Sequence, residues 1–284
     1  MITIVVDSNS QMPPSLAERF GIRVVPLVVT VDGVDHQEGV DLDADRFYDA
    51  WADGHTPSVE TSQPSPGRFV EVYRAAIDDG ATAILSIHLT AGMSGTLNAA
   101  RLASNEIDVP IRIVDSGTAS FGISCCAWAA AEAIAAGAAL DDAASIAERC
   151  AATLRTSFVV GVPQLADASG RVTGVEVEAA AADGVPVLAM SGGELSLLDT
   201  VVDLDAAVDT MVADAVAWAG RAPDRLDDRL RVAIGTSDDS SRPVSTALTE
   251  RLAGHHLVDQ VVQYRIGPSV GAFTGPGTAG LFCF

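Results

Sequence analysis

Four short apolar runs, at residues 2–6, 22–31, 82–89 and 111–114, constrain this chain more than any other feature. Each is rich in Val, Ile or Leu, and helical patterns stand between and after them. Pro13 or Pro14 starts a helix ending at Phe20, with Gly21 as its stop. The run at 22–31 reads as one strand, closed by the turn pair Asp32-Gly33, and a helix follows at 43–53. Ser65 and Pro66 give a helix start, with Phe69, Val72, Tyr73 and Ala76 at helical spacing and Gly80 as the stop. Further helices are expected up to about Ser104, at 120–136 and at 141–154. Strand alternating with helix is the pattern of a parallel sheet covered on both faces, so the first half reads as an α/β/α domain.

The second half has a different rhythm. Residues 158–162 read as a strand and 163–174 as loop. Residues 185–190 and 195–198, with Gly192-Gly193 between them, read as a hairpin. Helices at 204–219 and 243–254 and strands at 231–234 and 257–262 complete a mixed-sheet α/β domain. The expected domains are 1–157 and 158–284, joined without a long linker and packed with a ligand cleft between them.

The net charge is −21, from 17 basic and 38 acidic residues, which argues against nucleic acid as a partner. All the basic residues are Arg. With no Lys, ordinary P-loop phosphoryl transfer and Schiff-base chemistry are excluded. No apolar stretch reaches the length of a membrane span, and residues 1–6 enter a strand pattern directly. A cytoplasmic protein without stable membrane insertion is the expectation. Cys125, Cys126, Cys150 and Cys283 form no C-x-x-C, and the five His show no H-x-x-x-H, so no metal site and no cofactor are expected.

In open parallel sheets, ligands bind beyond the carboxyl ends of the strands. Here those ends are rich in hydroxyls: Ser8 and Ser10, Thr90, Ser94 and Thr96, Ser116 and Thr118. Val5-Val6-Asp7-Ser8 and Ile113-Val114-Asp115-Ser116 deliver the same Asp-Ser pair twice. Thr61, Ser62 and Gln63 form a loop of neutral hydrogen-bonding side chains before a helix start. Hydroxyls and free N–H groups can hold a carboxylate or phosphate oxygen, and they can equally cap helices. Gly95 lets a backbone come close. Residues 266–280 hold five further glycines among apolar residues, which implies backbone packed against a ligand or another segment. Ser94 with His88 and an Asp can be drawn as a hydrolytic triad, although Thr96 breaks the G-x-S-x-G pattern. Asp41, Asp43 and Asp45 read as helix capping, not a calcium loop.

Taken in order, Val5-Val6-Asp7-Ser8, Thr61-Ser62-Gln63-Pro64, Ser94-Gly95-Thr96, Ile113-Val114-Asp115-Ser116, Gly170-Arg171-Val172 and the stretch from Gly267-Pro268 to Gly275-Pro276-Gly277 resemble the DegV family of bacterial fatty-acid-binding proteins. The resemblance implies a two-domain fold with one long-chain fatty acid in an apolar tunnel between the domains. It implies that Thr61 and Ser94 hold the carboxylate, with Ser62, Gly95, Thr96, Phe273 and Thr274 around it. It also implies a carrier, not an enzyme, that presents the acid to a separate kinase resembling dihydroxyacetone kinase. Two basic features of the family differ here. Phe273 stands where a His is common, and Asp199-Thr200-Val201-Val202-Asp203 replaces a basic segment. His88 and Arg171 are the candidate substitutes. A hydrolase or acyltransferase using Ser94, and a binder of another carboxylated or phosphorylated small molecule, are the competing readings.

Overall fold

The computed structural model describes residues 1–170, 175–191, 194–220 and 230–284, without the side chain of Ser191. The first elements are β1 (Ile2–Asp7), α1 (Pro14–Phe20), β2 (Arg23–Val25), β3 (Val28–Val31), β4 (Val34–Gln37) and α2 (Ala44–Asp49). Next come β5 (Val59–Ser62), α3 (Pro66–Asp78), β6 (Ala83–His88), α4 (Thr96–Ser104), β7 (Ile111–Asp115), α5 (Phe121–Ala135) and α6 (Leu140–Thr153). The chain continues through β8 (Arg155–Val159), α7 (Pro163–Ala168), α8 (Val177–Ala181), β9 (Val185–Ser191), β10 (Glu194–Val201) and α9 (Leu204–Ala219). It ends with β11 (Leu230–Thr236), α10 (Arg242–Leu252), β12 (Val258–Arg265), α11 (Pro268–Thr274) and β13 (Ala279–Cys283).

These elements form two compact units, Met1–Asp41 with Ser58–Ala152, and Leu42–Pro57 with Thr153–Phe284. They are therefore not the contiguous stretches 1–157 and 158–284. Residues 42–57 join the second unit because α2 packs there. A Cβ at Gly271 of α11 would lie 2.5 Å from the Tyr48 hydroxyl and 2.7 Å from a Phe47 ring carbon, and Arg265 pairs with Asp45 at 2.7 Å. The expected helix at 43–53 is shorter. Asp43 caps α2 by accepting from Arg46 N at 2.8 Å, and Asp53 at φ 55° breaks the regular path.

The first unit holds a four-stranded parallel sheet in the order β2-β1-β6-β7 and a three-stranded antiparallel sheet, β4-β3-β5. The single strand expected at 22–31 is thus two strands in two sheets. Pro26 lies between them and has no N–H for a ladder, so the chain leaves one sheet there and enters the other. Val5 and Ile84 of the parallel sheet share a core with Phe69, Val70, Tyr73 and Ala76 of α3 and Ala99, Ala100 and Ala103 of α4. The alanines let the two helices pack close. Helix α5 is buried from Phe121 to Trp128 on every side, as an all-round apolar helix must be.

The second unit is built on a six-stranded mixed sheet, β10-β9-β8-β13-β11-β12, in which only β11 and β12 run parallel. Val187, Val232, Ile234 and Leu281 pack under α9 and α10. Leu188, next along β9 and so on the opposite face, packs with Ala166 of α7 and Val177 of α8. The stretch 163–174 was expected as loop, but Pro163 starts α7, where its missing N–H costs nothing. The glycine-rich C-terminal stretch contains α11. Its glycines admit other segments of the chain: Gly271 admits α2, and Gly280 lies 2.7 Å (from its would-be Cβ) to Ser157 O. Among the described residues, no helix is long and apolar enough to cross a membrane.

Candidate functional site

Thr61 stands on β5, opposite Val29 of β3, and not on the loop expected from sequence. It is half-buried, Ser62 and Gln63 are exposed and Pro64 is buried. Among the described residues, no side-chain hydrogen bond engages Thr61. Ser65 accepts from Arg68 N at 3.3 Å and Pro66 opens α3, the helix start read from sequence. Arg68, the nearest cation in sequence, is committed to Glu71 at 2.7 Å and Gln37 at 3.0 Å.

The second motif follows β6. Met93 N and Ser94 N both donate to Thr90 O, at 3.0 and 3.2 Å, which makes a tight turn. Ser94 Oγ and Thr96 Oγ1 are 2.9 Å apart, and Thr96 N donates to Ser94 Oγ at 3.3 Å. Ser94 thus does local capping work at the start of α4, with lone-pair and donor capacity left over. The two motifs meet: a Cβ on Gly95 would run into the Gln63 carboxamide, whose Cδ lies 2.7 Å and Nε2 3.1 Å from that position.

The loop carrying Ser94 is pinned from both sides. In the order β2-β1-β6-β7, strands β1 and β7 flank β6. The last residue of each is an Asp. Asp7 Oδ2 accepts from Leu89 N at 3.0 Å, and Asp115 Oδ2 accepts from Ala91 N at 3.2 Å. Thr90 N donates to Thr118 O at 3.0 Å between them. The Asp-Ser pair seen twice in the sequence is therefore one device used twice on one loop.

His88 lies where β6 meets that loop, fully buried. Its Nδ1 is 3.0 Å from Asp7 Oδ2 and its Nε2 is 2.6 Å from Ser86 Oγ. Ser86 Oγ is in turn 2.7 Å from the Tyr73 hydroxyl. The proton order that leaves every donor with an acceptor runs from Tyr73 O–H to Ser86, from Ser86 O–H to His88 Nε2, and from Nδ1–H to Asp7. Burial pushes the Tyr73 phenol up to about 12. Phe69 of α3 packs edge-on against the His88 ring at 5.0 Å. Both ring nitrogens are thus used away from Ser94. The Ser94–His88 triad drawn from sequence is not formed, and His88 is not the substitute cation for the head group. Asp7, Ser86 and Tyr73 were missed as partners; the alternation in Ser86-Ile87-His88, which puts both polar side chains on one face of a buried strand, was the available signal.

Phe273 and Thr274 lie on α11 in the second unit, where the Thr274 hydroxyl donates back to Val270 O at 3.2 Å. Arg171 lies outside the described residues, as do Val172, Thr173, Gly174, Gly192 and Gly193. The four cysteines are buried thiols, not joined in disulfides. Among the described residues, no cluster of His, Cys, Asp and Glu fits a metal ion.

A model of the DegV family, described as uncharacterised proteins, matches residues 1–284. The chain belongs to the DegV family. A DegV domain-containing protein of Streptomyces coelicolor is 33% identical over 283 residues, covering 99% of this chain and 97% of the relative. A solved DegV family protein from Thermus thermophilus, named for fatty acid binding, is 28% identical with a TM-score of 0.88, covering 100% of this chain and 99% of that one. DegV of Bacillus subtilis, named a fatty acid binding protein, is 24% identical with a TM-score of 0.84, over 100% and 99% of the two chains, and bears on the fold alone. The expected two-part DegV α/β architecture, with one parallel and one mixed sheet, is the observed one.

Proposed function

We propose that this DegV chain is a non-enzymatic carrier that binds one long-chain fatty acid, with the carboxylate on Thr61 and Ser94. The observation that carries this reading is the meeting of Gln63 with Gly95, which joins two hydroxyl-bearing motifs more than thirty residues apart in sequence. Membership of the family, and a relative named for fatty acid binding, support it. The hydroxyls and the N–H groups at the start of α4 supply neutral donors. Most of the affinity comes from the acyl tail, at about 0.8 kcal/mol per buried CH₂. Each neutral head-group bond adds only about 1 kcal/mol. Binding therefore does not need the cations absent at Phe273 and at 199–203. A hydrolase reading needs a base on Ser94, and the His88 nitrogens are spent on Asp7 and Ser86.

Native against denaturing mass spectrometry of the purified protein tests this. A non-covalent mass gain matching a fatty acid is expected, and Thr61→Ala with Ser94→Ala should weaken oleate binding about 5- to 100-fold, the loss of two such bonds. Absence of co-purified lipid together with no binding of added oleate sinks the reading. Presentation of the carboxylate to a dihydroxyacetone-kinase-like kinase, to form an acyl phosphate from ATP, is a separate step. With the two basic features replaced, that hand-off is expected to be slow or absent, measured as acyl phosphate formed by such a kinase from the loaded protein.

A further inference from the structure

We infer that Asp7 is a positioning residue of the head-group site: through the Leu89 N–H it fixes the turn that presents Ser94. The inference rests on the fatty-acid reading above. The β1–β6 ladder ends at the pair Val6 and Ile87. The Leu89 N–H just beyond it goes to the Asp7 carboxylate at 3.0 Å, so a side chain does there what a strand carbonyl does along the ladder. This carboxylate has no room to swing. It is fully buried on a strand that lies between β2 and β6, and it also accepts from Asn9 N at 3.1 Å and His88 Nδ1 at 3.0 Å. Releasing it would leave three donors in the core, each at the full cost of a lost solvation shell. From Leu89 the constraint passes to Thr90, and both residues are buried. Thr90 N donates to Thr118 O at 3.0 Å, and Thr90 O accepts from both Met93 N at 3.0 Å and Ser94 N at 3.2 Å. Thr90 is thus held by its own N–H and by its neighbour's, and the turn to Ser94 hangs from its carbonyl. Asp115 meets Ala91 N at the exposed end of the same turn, where water can replace it. The buried acid therefore sets Ser94. Ser86, bonded to the other nitrogen of His88 at 2.6 Å, belongs to the same buried chain and leaves the Leu89 bond alone, which makes it the control.

The test is palmitate binding by calorimetry for Asp7→Ala, Asp7→Asn and Ser86→Ala, with urea unfolding of each ligand-free chain in parallel. Asp7→Ala should weaken palmitate binding by about fivefold or more, the loss of at least one head-group bond. Ser86→Ala should lose stability yet bind within about twofold of the parent, because the Leu89 bond is intact. Asp7→Asn keeps an oxygen for Leu89 N and should also bind within about twofold. A general loss of stability would not produce this pattern. Asp7→Ala binding within about twofold of the parent, Ser86→Ala weakened as much as Asp7→Ala, or Asp7→Asn as weak as Asp7→Ala overturns the inference. If Asp7→Ala does not fold, Asp7→Ser replaces it. Its hydroxyl can still cap Asn9 N but stops one bond short of Leu89 N, and the same loss of about fivefold is expected. If neither variant folds, Asp7 serves the fold alone and the inference falls. A parent that binds no palmitate overturns the fatty-acid reading itself, a result separate from any difference among the variants.

Discussion

Asp7 and Asp115 end the two strands that flank β6, in the same Val-Asp-Ser context, and both accept an N–H from the loop that carries Ser94. Their surroundings differ. Asp7 is fully buried and accepts from Asn9 N at 3.1 Å, Leu89 N at 3.0 Å and His88 Nδ1. Asp115 is exposed and accepts from Ala91 N and Gly117 N. A donor stranded in the core loses its full solvation, while one at the surface finds water. The same motif therefore anchors the fold on one side of the loop and only trims its conformation on the other.

The largest expected effect is for Asp7→Ala. It strands three buried donors at about 1–3 kcal/mol each, and a total loss of about 3–5 kcal/mol is expected from urea unfolding. Equal losses for Asp7→Ala and Asp115→Ala would remove the contrast. Ser86→Ala comes next, because it cuts the chain on both sides, leaving His88 Nε2 and the Tyr73 hydroxyl alone; about 2–3 kcal/mol should be lost in the same assay. The alkaline side tests the same core. The Tyr73 phenol sits above its ordinary 10.0, at about 12, because the fold favours its neutral form. Its contribution to stability is fully present below pH 10 and is lost as pH rises from 10 to about 12, a fall of roughly 2 kcal/mol that Tyr73→Phe should abolish. An ultraviolet titration showing Tyr73 ionised by pH 10 would contradict the burial argument. The smallest effect belongs to Asp115→Ala, at about 1 kcal/mol or less, since its two donors turn to solvent.

Much of the first unit was legible from local pattern. The alternation of apolar runs with helical segments specified a parallel sheet, and Ser65-Pro66 and Asp43 marked helix starts that the structure has. Errors arose where local pattern and tertiary packing parted. The run at 22–31 looked continuous because Val and Leu stand on both sides of Pro26, yet its two parts belong to different sheets. Thr61 looked like a loop residue because hydroxyl and amide side chains crowd around it, yet it is paired with Val29. Residues 42–57 were assigned by position in the chain, while Phe47 and Tyr48 pack on α11. At the candidate site, Thr61, Ser94 and Gly95 could be named from motif alone. The approach of Gln63 to Gly95 could not, since a contact across more than thirty residues leaves no local trace.

The sequence by itself determined the kind of sheet, the helix boundaries that depend on capping, the absence of lysine chemistry and the set of hydroxyls offered to a ligand. These follow from short-range sterics and side-chain chemistry, which act within a few residues. Only the tertiary structure decided that β1 and β7 stand on either side of β6, that Asp7 is buried and Asp115 is not, and that His88 turns to Asp7 and Ser86 instead of Ser94. Strand order and burial are settled by how distant segments compete to cover one another, so the same three letters, Val-Asp-Ser, hold the core on one side of a loop and meet water on the other.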